Sequence, residues 1–152
     1  MLGELTPEEI ESMLQSNFVG RIGCNDGKMT YIVPVSYIYE NNTVLCHSRE
    51  GLKIRMMRTN PHVCFEVDEI RSYDHWRSVI AWGVYKELTA DDDVEYVKSF
   101  FSDNLLKLKT EQNLQPPHTS RERRHDVVPT YVPTIFYRVH LHKITGRFER
   151  KL

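Results

Sequence analysis

No stretch of this chain is apolar for long enough to span a bilayer, which takes about 20 residues. Nor does its start carry the charged-then-apolar pattern of a secretory leader, because MLGELTPEEIESML is acidic and amphipathic. A cytoplasmic protein with no membrane partner is expected. An excess of charge of either sign is also missing. Lysine and arginine number 20 against 21 acids, for a formal net charge of -1, so no overall field draws in nucleic acid or an anionic surface. Any anion site has to be local. Cysteine is scarce as well: Cys24, Cys46 and Cys64 are odd in number and widely spaced, which argues against a disulfide framework or a Cys-x-x-Cys metal site. Buried, reduced thiols among strand residues are expected.

What is present suffices for a core. With 40% hydrophobic and 27% charged residues in 152, the chain suits one domain spanning 1–152. Thr6-Pro7-Glu8-Glu9 combines an N-cap hydroxyl, a proline at the first helical position and a glutamate three residues after the cap, so a helix begins there. From Phe18 the apolar period becomes two. FVGRIGC and MTYIVPVSYIYE read as strands joined by an Asp26-Gly27 turn, and Glu40-Asn41-Asn42-Thr43 is a second turn. Pro34 cannot donate to a ladder, so its strand should be bulged or have an unpaired edge there. Such a break offers free N–H and C=O groups to a flat heterocycle.

The stretch 44–69, VLCHSREGLKIRMMRTNPHVCFEVDE, reads as strand, polar corner, short basic helix and strand. At the corner Ser48, Gly51 and Lys53 stand where unpaired N–H groups and the positive end of a helix dipole can hold an anion. Glu50 offers the competing reading, in which its own carboxylate caps the helix. Residues 76–88 form the longest strand pattern, with Trp76, Ser78, Ile80 and Trp82 on one face, as a pocket wall or as core. A second helix starts near Asp91. Residues 110–134 show no regular pattern, and the basic cluster 121–125 falls within them. A last strand, 135–144, puts His140 and His142 on one face, but no carboxylate or cysteine stands near in sequence to complete a metal set. About six strands, with a short helix between the third and fourth and a longer one before the last, make a mainly antiparallel β-barrel with peripheral helices.

Four motifs in order, GRIGC, VPVSYIY, HSREGLKIRMMRTNPHVCFEVD and WRSVIAWGVYKEL, closely resemble the flavin-binding split-barrel superfamily of pyridoxamine 5'-phosphate oxidase relatives. The similarity is greatest to the branch holding nitroimidazole-resistance (Nim-type) and other small flavin-nucleotide-binding proteins. That resemblance implies a six-stranded antiparallel split barrel, a homodimer with two equivalent sites at the subunit interface, and FMN as cofactor. Carried onto this chain, it runs Val33, Pro34, Val35 and Ser36 along the isoalloxazine ring and sets His47 and Ser48 beside the phosphate and ribityl chain. Lys53 binds phosphate, and Trp76, Arg77 and Ser78 approach from a following strand. His47 is the residue it implies near the chemistry. The arginine-rich ring-binding strand of the oxidases proper is replaced by VPVSYIY, and their C-terminal segment is not recognisable in LHKITGRFERKL, so vitamin B6 oxidation is not expected. The resemblance implies an FMN-dependent oxidoreductase acting on a small molecule, a nitroaromatic or similar oxidised compound. The alternative is a non-catalytic flavin or haem binder, a reservoir or sensor.

Overall fold

The computed structural model describes residues 1–112 and 134–152, the side chains of 104–112 excepted. In order the elements are β1 (Leu2–Glu4), α1 (Pro7–Ser16), β2 (Val19–Asn25), β3 (Thr30–Glu40), β4 (Thr43–Arg49), α2 (Leu52–Thr59), β5 (His62–Ser72), β6 (His75–Leu88), α3 (Asp91–Gln112) and β7 (Thr134–Glu149). The irregular stretch and the 121–125 cluster read from the sequence lie outside the described residues, except that 110–112 end α3 and Thr134 opens β7.

Every strand pairing is antiparallel, in the order β1-β7-β4-β3-β2-β5-β6, and a further β7–β6 pairing returns the order on itself. Six strands thus form a split barrel, and the short β1 is added outside the ring against the last residues of β7. β7 closes the ring because it is long: Thr134–His140 face β4 while Phe136–Glu149 face β6. Sequence patterning stops this strand too early, at 144. Its alternation continues through buried Gly146 and Phe148, diluted by exposed polar residues. The expected polar loop 70–75 likewise shrinks to two residues, Tyr73 and Asp74, since a hairpin goes on pairing after it has left the core.

Both expected turns form. Asp26 accepts from the N–H groups of Lys28 (2.9 Å) and Met29 (2.8 Å), and Gly27 takes the left-handed conformation (φ 92°) that glycine adopts without steric cost. Asn41 and Asn42 both have positive φ, 48° and 56°, the primed-turn geometry that matches strand twist. At the start of α1, Thr6 accepts from Glu9 N–H (3.2 Å) while the Glu9 carboxylate accepts from Thr6 N–H (2.9 Å), a complete capping box.

The barrel interior holds Ile22, Phe65, Val67, Val79, Tyr137 and Val139, all fully buried. Met13 and Leu14 of α1 and Ile54, Met56 and Met57 of α2 join the same cluster. A smaller cluster, Leu45, Leu88, Val97, Phe101 and Phe136, seats α3 on the outer side of the sheet. All three cysteines are free, two of them buried, and burial pushes the Cys46 thiol up to about 12. Among the described residues no helix is long and apolar enough to cross a membrane.

Candidate functional site

The split in the barrel lies between β3 and β4. They pair only over Tyr37–Glu40 and Thr43–Cys46. Beyond Tyr37, β3 stays with β2 (Val19↔Ser36 to Asn25↔Thr30), while β4 continues along β7 (His47↔Phe136 to Arg49↔Thr134). The side of β3 facing the gap has no strand partner among the described residues.

The phase of the β2–β3 ladder decides which groups face that gap. Tyr37 N–H donates to Phe18 C=O (3.0 Å), so Val35 and Val33 turn their backbone groups to β2, and Ser36, Pro34 and Ile32 turn theirs outward. Pro34 therefore occupies a position where no ladder bond is lost. Of the two expectations, the unpaired edge is found, with no register shift at Pro34. Val33 and Val35 pack their side chains on the core, whereas Pro34 is exposed and Ser36 half-buried.

Where β4 leaves the sheet, Arg49-Glu50-Gly51 leads into α2. Arg55 N–H donates to Gly51 C=O (3.1 Å) as the first helical bond, so the N–H groups of Leu52, Lys53 and Ile54 precede it. The helix has no side-chain cap and no acid in its first turn. A Cβ built on Gly51 would meet only Arg49 O, at 3.9 Å, leaving open space beside the helix start. Glu50 does not cap the helix. Its Oε1 accepts instead from Arg58 Nη1 (2.7 Å), and Arg58 Nε and Nη2 donate to Glu87 Oε1 (3.0 and 2.8 Å). Ser48 Oγ donates to Arg49 C=O (2.9 Å).

Lys53 is half-buried. Burial lowers its pKa from the usual lysine value, and the titratable groups near it are the thiols of Cys46 and Cys24. Among the described residues no carboxylate pairs with it. A partly desolvated lysine without a carboxylate partner among the described residues stands in the first turn of an uncapped helix, and that arrangement favours an anion.

His47 and Ser48, adjacent on β4, point to opposite faces. The His47 ring lies under α3, edge-on to Phe101 at 4.8 Å and tilted to Phe136 at 6.1 Å. Trp76, Arg77 and Ser78 lie at the start of β6, separated from β3 by two strands, β5 and β2. Trp76 Nε1 donates to Glu149 Oε2 (3.1 Å), Arg77 Nε to Glu69 Oε2 (2.7 Å), and Ser78 stands opposite Asp68. The chain thus puts Pro34 and Ser36 on the open edge of β3, Ser48 on β4 beyond the parting and Lys53 in the first turn of the helix that follows, and it keeps the 76–78 group two intervening strands away from β3 within a single copy.

Sequence reading missed one feature and held another only as one of two alternatives. The Glu50–Arg58–Glu87 bridge joins residues up to 37 positions apart, and no periodicity signals it. The second feature is a cleft of about 750 Å³ on the outer sheet face, lined by Gly23, Ile32, Cys64, Trp82 and His142 among others. A bulge opposite Trp82 and Gly83 leaves His142 unpaired. Its signal was the alternating face with Ile80 and Trp82, read from the sequence as a pocket wall or as core; the exposed Ile32 of β3 and Val84 extend that face.

The family model described as pyridoxamine 5'-phosphate oxidase matches residues 6–148. The chain belongs to the pyridoxamine 5'-phosphate oxidase family. One curated relative, an uncharacterized protein of Rhizobium meliloti (strain 1021), is 35% identical over 86 residues, 57% of this chain and 57% of that protein. The match therefore spans little more than half of that relative's length. Among solved structures, an FAD-binding protein from Mesorhizobium loti is 28% identical with a TM-score of 0.74, covering 97% of this chain and 98% of that one. An FAD-binding protein from Mycobacterium smegmatis is 25% identical with a TM-score of 0.63 over 97% and 98%. A candidate 5-nitroimidazole antibiotic resistance protein from Bacteroides thetaiotaomicron, 18% identical, shares the fold at a TM-score of 0.69 over 97% and 87%. Within the pyridoxamine 5'-phosphate oxidase family, then, this chain has the split-barrel fold that its four ordered motifs imply.

Proposed function

We propose that this protein is a cytoplasmic FMN-binding oxidoreductase that reduces nitroaromatic or similar small oxidised compounds. The observation that carries the flavin reading is Lys53: a half-buried cation with no carboxylate partner among the described residues, in the first turn of an uncapped helix that follows β4 after it parts from β3. FAD contains the FMN unit, so the FAD-binding relatives at 28% and 25% identity support the same ring and proximal phosphate here.

Lys53 and the first N–H groups of α2 would hold that phosphate. Ser36 and Ile32 N–H and Pro34 C=O would meet the polar edge of the ring, which needs both donors and acceptors. Bound flavin supplies reversible uptake of a hydride or of electrons. His47, whose ring lies under α3 on the face away from Ser48, would donate a proton or shape the substrate pocket from that side.

A homodimer completes the proposal. The outer face of β2, β3, β5 and β6 exposes Val19, Ile32, Ile80 and Val84 around Trp82, and a second copy covering this face would bring Trp76, Arg77 and Ser78 to its partner's site. The absorbance spectrum of the purified protein is the test. Flavin bands are expected, with FMN identified on release by denaturation. A colourless protein that takes up no added FMN overturns the proposal, and a Soret band replaces it with haem binding.

A further inference from the structure

A carboxylate one residue before a helix start is drawn to that start by the dipole and by unpaired N–H groups. Glu50 stands in that position before Gly51, yet its carboxylate pairs with a side chain from the other end of α2. There Arg58, in the helix's last turn, spans two acids. Its Nη1 reaches Glu50 Oε1 at 2.7 Å, and its Nε and Nη2 reach Glu87 Oε1 at 3.0 and 2.8 Å. Tyr85 OH also donates to Glu87 Oε1 (2.9 Å), so three donors anchor this acid on β6. The guanidinium fork is therefore fixed from the sheet side and holds Glu50 with its remaining arm.

We propose that Arg58 and Glu87 are positioning residues that hold Glu50 off the anion corner, keeping the α2 start and Lys53 open for the phosphate of a ligand. The inference rests on the flavin-phosphate reading above. Freed from Arg58, Glu50 would compete for the same N–H groups as a tethered anion, at high effective concentration, and would repel an incoming phosphate. Arg58 thus acts on the site without touching the ligand.

This arrangement predicts epistasis of a particular sign. Arg58→Ala weakens FMN binding by about tenfold, the scale of a carboxylate–dipole interaction in a partly buried setting. Arg58→Ala combined with Glu50→Gln regains wild-type affinity to within about twofold, and Glu50→Gln alone binds FMN at least as tightly as wild type. Fluorescence-quenching titrations with FMN and with riboflavin give the readout, and circular dichroism checks that each variant is folded. The loss and the rescue should appear for FMN and not for riboflavin, which lacks the phosphate. A folded Arg58→Ala protein that Glu50→Gln does not rescue, or one that loses riboflavin equally, overturns the inference while the phosphate reading stands. Equal affinity of the wild type for FMN and riboflavin overturns the phosphate reading itself.

Discussion

Lys53 and His47 are the residues to which the proposed function assigns anchor and chemistry, and their surroundings separate two kinds of prediction. A charge-assisted hydrogen bond contributes about 1.5–3 kcal/mol, so Lys53→Ala should weaken FMN binding by roughly 10- to 100-fold. Its pH dependence has a definite sign. Burial lowers the Lys53 pKa in the free protein, and a bound phosphate favours the ammonium and raises it again. Affinity is therefore level below the free-protein pKa and falls as pH rises through the interval between the two values, starting below the usual lysine range. Titrations across the alkaline range should show this fall in wild type and its absence in Lys53→Ala. The proposal gives His47 a catalytic role beside its packing one, and the two are separable. Its edge contact with Phe101 (4.8 Å) contributes about 0.5–1.5 kcal/mol to stability, and general acid–base action contributes about 10²–10⁴-fold to rate. His47→Ala should retain flavin, melt earlier and lose turnover of a nitroaromatic with a nicotinamide donor. A variant that melts earlier with unchanged turnover makes His47 a packing residue only.

At the scale of elements, two glycines make opposite predictions because their surroundings differ. A Cβ on Gly83 of β6 would lie 2.5 Å from His140 O and 2.8 Å from Val139 Cγ1, where β7 bulges past it. Gly83→Ala should cost about 1–3 kcal/mol in urea denaturation. Gly51 has an extended backbone (φ -174°) that any residue adopts, and open space beside it. Gly51→Ala should leave stability within about 0.5 kcal/mol and weaken flavin binding by filling the helix start. A large stability loss at Gly51 would mean that the corner is a structural turn. The α1 capping box and both hairpin turns were legible in advance, since each depends on the local chemistry of three or four consecutive residues, whereas at Pro34 the sequence left a bulge and an unpaired edge open. The destination of Glu50 was not legible. Its partners Arg58 and Glu87 come from α2 and β6, and only their packing decides whether that acid caps the helix or leaves it free.

For the whole molecule, the uncovered sheet face around Trp82 carries the expectation of a dimer. Ile80 is 37% exposed on a strand face with Val84, also 37%, and Trp82. Sedimentation should find a dimer for wild type and a monomer for Ile80→Arg, with flavin lost alongside the partner. A monomeric variant with full flavin affinity would separate the site from the interface. By itself the sequence determined the alternating strands, the hairpins, the basic corner at Ser48 to Lys53 and the reduced thiols, because these follow from residue type and short-range spacing. Tertiary structure alone decided that β7 closes the ring by pairing both β4 and β6, and that β3 and β4 part beyond Tyr37. It also decided that Lys53 lacks a carboxylate partner among the described residues. Those outcomes depend on which distant segments share backbone hydrogen bonds and where burial removes water, and neither is encoded within a few residues of the site.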